Sequence, residues 1–156
     1  HYSTDYVFDG SGTHARAEDA PTGPLSVYGQ TKLAGEQAVR ESGARHLILR
    51  TSWVYGARGQ NFPKTMLRLA QERAELRVIH DQVGAPTGAE LLADVTAHAL
   101  RAVQAQPALA GTYHVAAAGE TSWHGLAGFA IHTAMALRPD LPWRVEHIEP
   151  IPTTDY

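Results

Sequence analysis

Cysteine is absent from the chain, which rules out disulfide bridges, thiolate metal sites and a cysteine nucleophile. Long hydrophobic runs are absent as well. No stretch approaches the about 18 consecutive apolar residues of a membrane-spanning helix, and the opening residues lack the charged, apolar and small-residue progression of a signal peptide. Nor is there an excess of basic charge. The chain has 13 Lys and Arg against 16 Asp and Glu, a net charge of -3, and the basic side chains are scattered rather than gathered into the stripe that nucleic acid requires. A soluble, cytoplasmic protein with no membrane and no nucleic-acid partner is expected. A small phosphate-bearing ligand stays compatible with this balance, because it needs only local donors.

Two chemical signatures are also missing. No Gly-x-Gly-x-x-Gly follows a strand, and Gly10-Ser11-Gly12 runs on into Thr13-His14-Ala15 within a loop, so the usual cradle for a dinucleotide pyrophosphate is not encoded in these residues. Nine histidines are present, yet none forms a His-x-x-x-His pair with a carboxylate on one helix face, and His124 and His132 are spaced too widely to serve. No metal ligand is assigned.

What is present is 44% hydrophobic and 19% charged residues in a chain of 156, the balance of an ordinary globular protein with a core for one domain or part of one. The chain opens at His1 without Met, already reading as the end of a strand, and it finishes from Glu149 to Tyr156 in an extended, proline-spaced run. Both ends lead us to expect a piece of a longer protein. After Tyr2 to Phe8 the pair Asp9-Gly10 marks a turn, and residues 11–25 read as a long surface loop. Helical spacing runs from Ser26 to the stop at Ser42-Gly43, and residues 46–50 follow as a short buried strand. A helix over 61–74, with Asn61 as N-cap and Pro63 in its first turn, precedes a strand over 76–80. Residues 88–105 give the clearest helix, with an apolar stripe of Leu91, Leu92, Val95, Ala99, Leu100 and Val103. A strand over 111–116, a helix over 122–137 and a strand over 143–148 complete the chain. Strands alternating with helices of this length predict an α/β fold with a mostly parallel sheet covered on both faces.

The sharpest local feature is Tyr28-Gly29-Gln30-Thr31-Lys32 at the start of a helix. Tyr28 and Lys32 stand four apart and share a face, so they can reach one ligand together. A phenol alone gives up its proton reluctantly near neutral pH, but an ammonium one turn away favours the phenolate left behind, which suits proton transfer to a carbonyl oxygen that receives hydride. Upstream, Ser3-Thr4-Asp5 puts hydroxyls and a carboxylate where a strand ends, the place at which open α/β sheets hold ligands. Thr4 is placed to hydrogen-bond a substrate oxygen or to tune Tyr28. Trp53 offers a flat indole beside a strand end, able to pack on a sugar or another ring. The segment Asp81 to Thr87 suits a ligand-contacting loop or a plain connector.

The run His1 to Gly12, the Tyr28 motif and Arg50-Thr51-Ser52-Trp53-Val54-Tyr55-Gly56 together resemble the extended short-chain dehydrogenase/reductase superfamily. Four further stretches narrow the resemblance to the dTDP-4-dehydrorhamnose reductase family: Ser3 to Gly10, Asn61-Phe62 with Lys64-Thr65-Met66, Asp81 to Thr87, and Gly119-Glu120-Thr121-Ser122-Trp123. They occur in family order over nearly the whole chain. The resemblance implies a Rossmann-like fold and reduction of the 4-keto group of dTDP-4-dehydro-L-rhamnose to dTDP-L-rhamnose with NADPH or NADH. By the same resemblance Tyr28, Lys32 and Thr4 form the catalytic set, with Tyr28 as proton donor. Tyr2, Tyr28 and Lys32 lie by the cofactor, and Thr4, Asp5 and Trp53 contact the sugar. The chain is then the C-terminal catalytic and substrate-binding portion, residues 1–156, with the N-terminal cofactor half absent. The resemblance also brings a homodimer and Mg2+ near its contact, with Glu90 as an acidic partner, although a helix-start Glu equally serves the helix dipole. A nucleotide-sugar epimerase or dehydratase and a non-catalytic regulatory relative of the same fold are the competing readings. Asp5-Tyr6 favours simple reduction over the former, and the intact Thr4, Tyr28 and Lys32 favour an enzyme over the latter.

Overall fold

The computed structural model describes residues 1–156, which divide into two compact units. The first comprises His1–Ser52 with Ala89–Ala116, the second Trp53–Gly88 with Ala117–Tyr156.

In the first unit, β1 (Tyr2–Thr4), β2 (Leu47–Thr51) and β7 (Gly111–His114) make a parallel sheet with β2 in the middle. Tyr2 stands opposite Leu49, and Leu47 opposite Gly111. All five residues of β2 are buried, as a central strand covered on both faces must be. Alternation divides them. Arg50 faces α1 (Val27–Glu41), while Leu47 and Leu49 line an apolar groove with Val95, Ala99 and Val103 of α3 (Ala89–Ala105). The stripe on α3 is narrower than the sequence pattern suggested. Leu92 is buried, but Leu91 and Leu100 are exposed, because they lie outside the arc of the i, i+3, i+7 and i+11 positions that begins at Leu92.

The second unit contains three short pairings. Val54–Tyr55 (β3) runs parallel to Thr87–Gly88 (β6), Glu75–Ile79 (β4) runs parallel to His147–Ile151 (β9), and Val83–Gly84 (β5) runs antiparallel to Thr121–Ser122 (β8). Its core forms where α2 (Phe62–Glu72) and α4 (Trp123–Leu137) pack on β4, burying Met66, Ala70, Leu76, Val78, Ala127 and Ile131. The α/β class with mainly parallel strands holds, although the strands are spread over a three-stranded sheet and these pairs.

The helix starts follow from their caps. Ser26, Asn61 and Ser122 each accept, through the side-chain oxygen, the N–H three residues on, at 3.0, 3.2 and 3.0 Å, satisfying a donor that the first turn leaves open. The last strand differs from its expected range of 143–148. The N–H groups of Arg144 and Val145 donate to Ala70 O in the last turn of α2, and that of Glu146 to Ala74 O just beyond it, so residues 144–146 lie against the carboxyl end of α2 and pairing with β4 begins only at His147. Pro150 fits in β9 because that strand pairs on one side only, with β4. The end of the chain is also tied down: Thr153–Asp155 forms a 3-10 turn, and Thr153 donates its N–H and its hydroxyl to Asp81. No helix is long and apolar enough to cross a membrane.

Candidate active site

Thr4 ends β1 and caps the 3-10 turn Asp5–Val7. Its hydroxyl oxygen accepts the Tyr6 N–H at 3.3 Å and donates to Asp5 Oδ1 at 3.0 Å. The other Asp5 oxygen accepts from Ser52 Oγ at 2.7 Å. Hydroxyls just beyond β1 and β2 therefore fix one carboxylate at the carboxyl end of the parallel strands, where such sheets bind ligands.

The first turns of α1 supply Tyr28 and Lys32. The Lys32 Nζ lies 5.9 Å from the centre of the Tyr28 ring and donates to the backbone oxygen of Tyr2 at 3.0 Å. That bond uses one of three ammonium donors. Tyr28 is 53% exposed, and its ring rests edge-on against Tyr6, with centres 6.1 Å apart and planes at 77°. Tyr2 is held twice, by Lys32 through its carbonyl and by a 2.7 Å hydrogen bond between its hydroxyl and that of Thr96 on α3. The structure thus connects Thr4 with Asp5, and Lys32 with both Tyr28 and Tyr2, within one unit.

Two supports of this arrangement went unread in the sequence. Gly29, between Tyr28 and Lys32, is buried against the preceding turn, and a Cβ there would overlap the Tyr6 carbonyl and crowd Pro24. A glycine in the first turn of a helix was the available signal. Gly29→Ala is expected to destabilise the protein by about 1–3 kcal/mol through overpacking and to displace Tyr28, so thermal melting and turnover should both fall. An unaltered melting temperature would mean that the turn yields freely.

The second support is Glu36, fully buried on α1. Its carboxylate accepts from Ser3 Oγ at 2.5 Å, from Arg50 Nε and Nη2 at 2.8 Å each, and from Arg40 at 2.7 Å. Burial alone would raise its pKa, but the hydrogen bonds from Arg50 and Ser3 and the guanidinium charge outweigh that and hold it at about 2. Arg50 also donates to Glu18 O at 3.0 Å and lies over the Phe8 ring. The network fastens α1, which bears Tyr28, to β1, which ends in Thr4, and secures the loop between them.

Trp53, the remaining expected site residue, opens the second unit. Its backbone has φ +43°, the one non-glycine residue in the left-handed region, a costly conformation for a bulky side chain. Its indole stacks on that of Trp123, with centres 3.5 Å apart and planes at 10°, so one face is not open to a sugar. No group of three or more His, Asp or Glu side chains is arranged to hold a metal ion. Glu90, the acidic partner that the family resemblance offers for Mg2+ at a dimer contact, stands in the first turn of α3.

Parallel strands with a tyrosine and a lysine one helical turn apart beside the strand ends define an α/β fold of the Rossmann-like, short-chain dehydrogenase/reductase type. The particular family follows from comparison: the model of the RmlD substrate binding domain matches residues 1–156, and the chain belongs to that family. The dTDP-4-dehydrorhamnose reductase of Shigella flexneri is 55% identical over 156 residues, covering 100% of this chain and 52% of that protein. A crystal structure of a dTDP-4-dehydrorhamnose reductase from Clostridium acetobutylicum superimposes with a TM-score of 0.85 at 36% identity, over 99% of this chain and 50% of that one. The Bacillus anthracis enzyme, solved in complex with NADP, gives 0.82 at 37% identity, over 99% and 51%. The chain thus spans about half the length of the relatives it matches.

Proposed function

We propose that residues 1–156 are the catalytic and substrate-binding portion of an NAD(P)H-dependent reductase that converts the 4-keto group of dTDP-4-dehydro-L-rhamnose to the alcohol of dTDP-L-rhamnose. The observation that carries this reading is the Tyr28 and Lys32 pair: an open phenol beside an ammonium that the Tyr2 carbonyl anchors through one hydrogen bond, leaving two donors for a ligand. These residues fit a reduced nicotinamide cofactor, whose ribose hydroxyls Lys32 and Tyr28 would hold and which, when bound, supplies hydride. Tyr28 then gives its proton to the oxygen that becomes the alcohol, and the Lys32 charge favours the resulting phenolate. Thr4, fixed by Asp5 and the 3-10 turn, hydrogen-bonds the same sugar oxygen. Asp5 and Trp53 are further sugar contacts.

The test is an assay of the complete protein with the 4-keto sugar and NADPH, following cofactor oxidation and identifying the product by NMR. One alcohol formed per cofactor oxidised is expected. Sugar turnover without net cofactor consumption would instead indicate an epimerase or dehydratase. Residues 1–156 alone are expected to bind no NADPH in calorimetry, since they encode no glycine-rich pyrophosphate cradle. Micromolar binding by that chain would overturn the assignment of the cofactor cradle to a separate half.

A further inference from the structure

Within the second unit a continuous set of contacts converges on Trp53. Its carbonyl accepts the Thr87 N–H at 3.2 Å, and Thr87 is fully buried. Gly84 lies so close to the indole that a Cβ there would run into the ring at Cε2, Nε1 and Cδ2. Trp123 stacks on the ring, Phe62 packs against Trp123 with centres 4.5 Å apart, and the Trp123 Nε1 donates to Gln82 Oε1 at 3.2 Å. The Gln82 amide nitrogen donates in turn to Thr153 Oγ1 at 3.1 Å, and Asp81 holds Thr153 by both its N–H and its hydroxyl. The hydrogen bonds from the Thr153 hydroxyl and N–H hold the Asp81 pKa below the usual carboxylate value.

These contacts explain how a tryptophan stays at a strained φ. Such strain persists where surroundings over-determine it and marks sites with work to do. What the contacts leave exposed is informative. Trp123 and Trp143 donate their indole N–H groups to Gln82 and to Arg138 O, whereas the Trp53 Nε1 has no acceptor within the chain. We propose that Gln82 and Trp123 are positioning residues that hold the Trp53 indole so that its N–H, which has no acceptor within the chain, meets an acceptor oxygen on the sugar-bearing ligand. This rests on the reading of Trp53 as a sugar contact in the proposed reductase. It gives the run Asp81 to Thr87 a role: Asp81 anchors Thr153, Gln82 orients Trp123, Gly84 admits the indole and Thr87 fixes its backbone.

The experiment uses the complete protein with dTDP-L-rhamnose and NADPH as separate titrants in calorimetry, together with circular dichroism, where two stacked indoles give an exciton couplet. Trp123→Ala and Gln82→Leu should each weaken dTDP-L-rhamnose binding about tenfold and leave the NADPH affinity within about twofold. Trp123→Ala should also abolish the couplet. Trp123→Phe, which keeps a ring on Trp53, should recover most of the loss. Should Trp123→Ala fail to fold, Gln82→Leu decides, since it removes only the amide that orients Trp123. Wild-type affinity for dTDP-L-rhamnose in folded Trp123→Ala or in Gln82→Leu overturns the proposal. Trp53→Ala separates the two levels: if it too binds the sugar normally, the assignment of Trp53 itself fails, and if it binds weakly while the other two do not, only the positioning role fails.

Discussion

Tyr28→Phe is expected to reduce kcat of the complete protein by about 10²–10⁴-fold, the range that a positioned general acid contributes, while the affinity for dTDP-L-rhamnose stays close to wild type. The substitution removes one oxygen and its proton and nothing else. The ring keeps its edge contact with Tyr6, and the helix start depends on Ser26 and Gly29, not on the hydroxyl. Lys32 keeps its bond to the Tyr2 carbonyl. A folding defect is therefore not expected, and the loss belongs to the step in which the sugar oxygen takes a proton. Steady-state kinetics with calorimetry on the same preparation separates the two quantities. A variant with wild-type kcat would remove Tyr28 from the chemistry and with it the reductase mechanism. Lys32→Met should be less selective, because in the proposed function the ammonium serves both the phenolate and the ligand hydroxyls, so kcat and cofactor affinity should fall together.

Much of this site was legible in the sequence because its signals are local. Tyr28 and Lys32 share a helical face by spacing alone, Asn61 reads as a cap from residue type and position, and Thr4-Asp5 sits at the end of a strand. Features made by distant residues were not legible. Ser3, Glu36 and Arg50 are separated by 33 and 14 positions and meet only when β1, α1 and β2 pack. Each alone reads as an ordinary polar residue, and spacing does not show that the carboxylate is buried and paired. Trp53 shows the same limit. Its type and place suggested a flat face for a sugar, but the structure gives one face to Trp123, 70 positions on, and brings Gly84 close against the ring. The last strand was set too early because Trp143 and Val145 have strand-like alternation, whereas the Trp143 N–H turns back to Leu141 O, the Val145 N–H donates to Ala70 O of α2, and both side chains pack on the second unit's core. Periodicity reports which side chains are buried, and here it could not tell pairing from packing.

The buried Glu36 network supports the prediction with the largest effect on stability. Glu36→Gln preserves shape but removes the charge opposite Arg50, which is itself buried. An unpaired buried guanidinium costs about 3–5 kcal/mol, so urea unfolding at neutral pH should shift to clearly lower denaturant. The double variant Glu36→Leu with Arg50→Met should recover part of that loss, because an apolar pair of similar volume avoids stranding either charge. The same carboxylate sets a dependence on acid. Its pKa is depressed from 4.5 to about 2 in the folded protein, so below the unfolded value the unfolded chain binds a proton that the folded one refuses. The stabilisation is therefore complete above pH 4.5, falls as the pH drops toward 2, and amounts to about 3 kcal/mol at most. Glu36→Gln should remove that part of the acid dependence while lowering stability throughout. Because Ser3 adjoins Thr4 and Glu36 lies two turns beyond Tyr28, the variant should also lose turnover at temperatures where it remains folded. A Glu36→Gln protein with wild-type stability at neutral pH and an unchanged acid profile would show that the Glu18 carbonyl and solvent satisfy Arg50 without the carboxylate, and that α1 is held to β1 by packing alone.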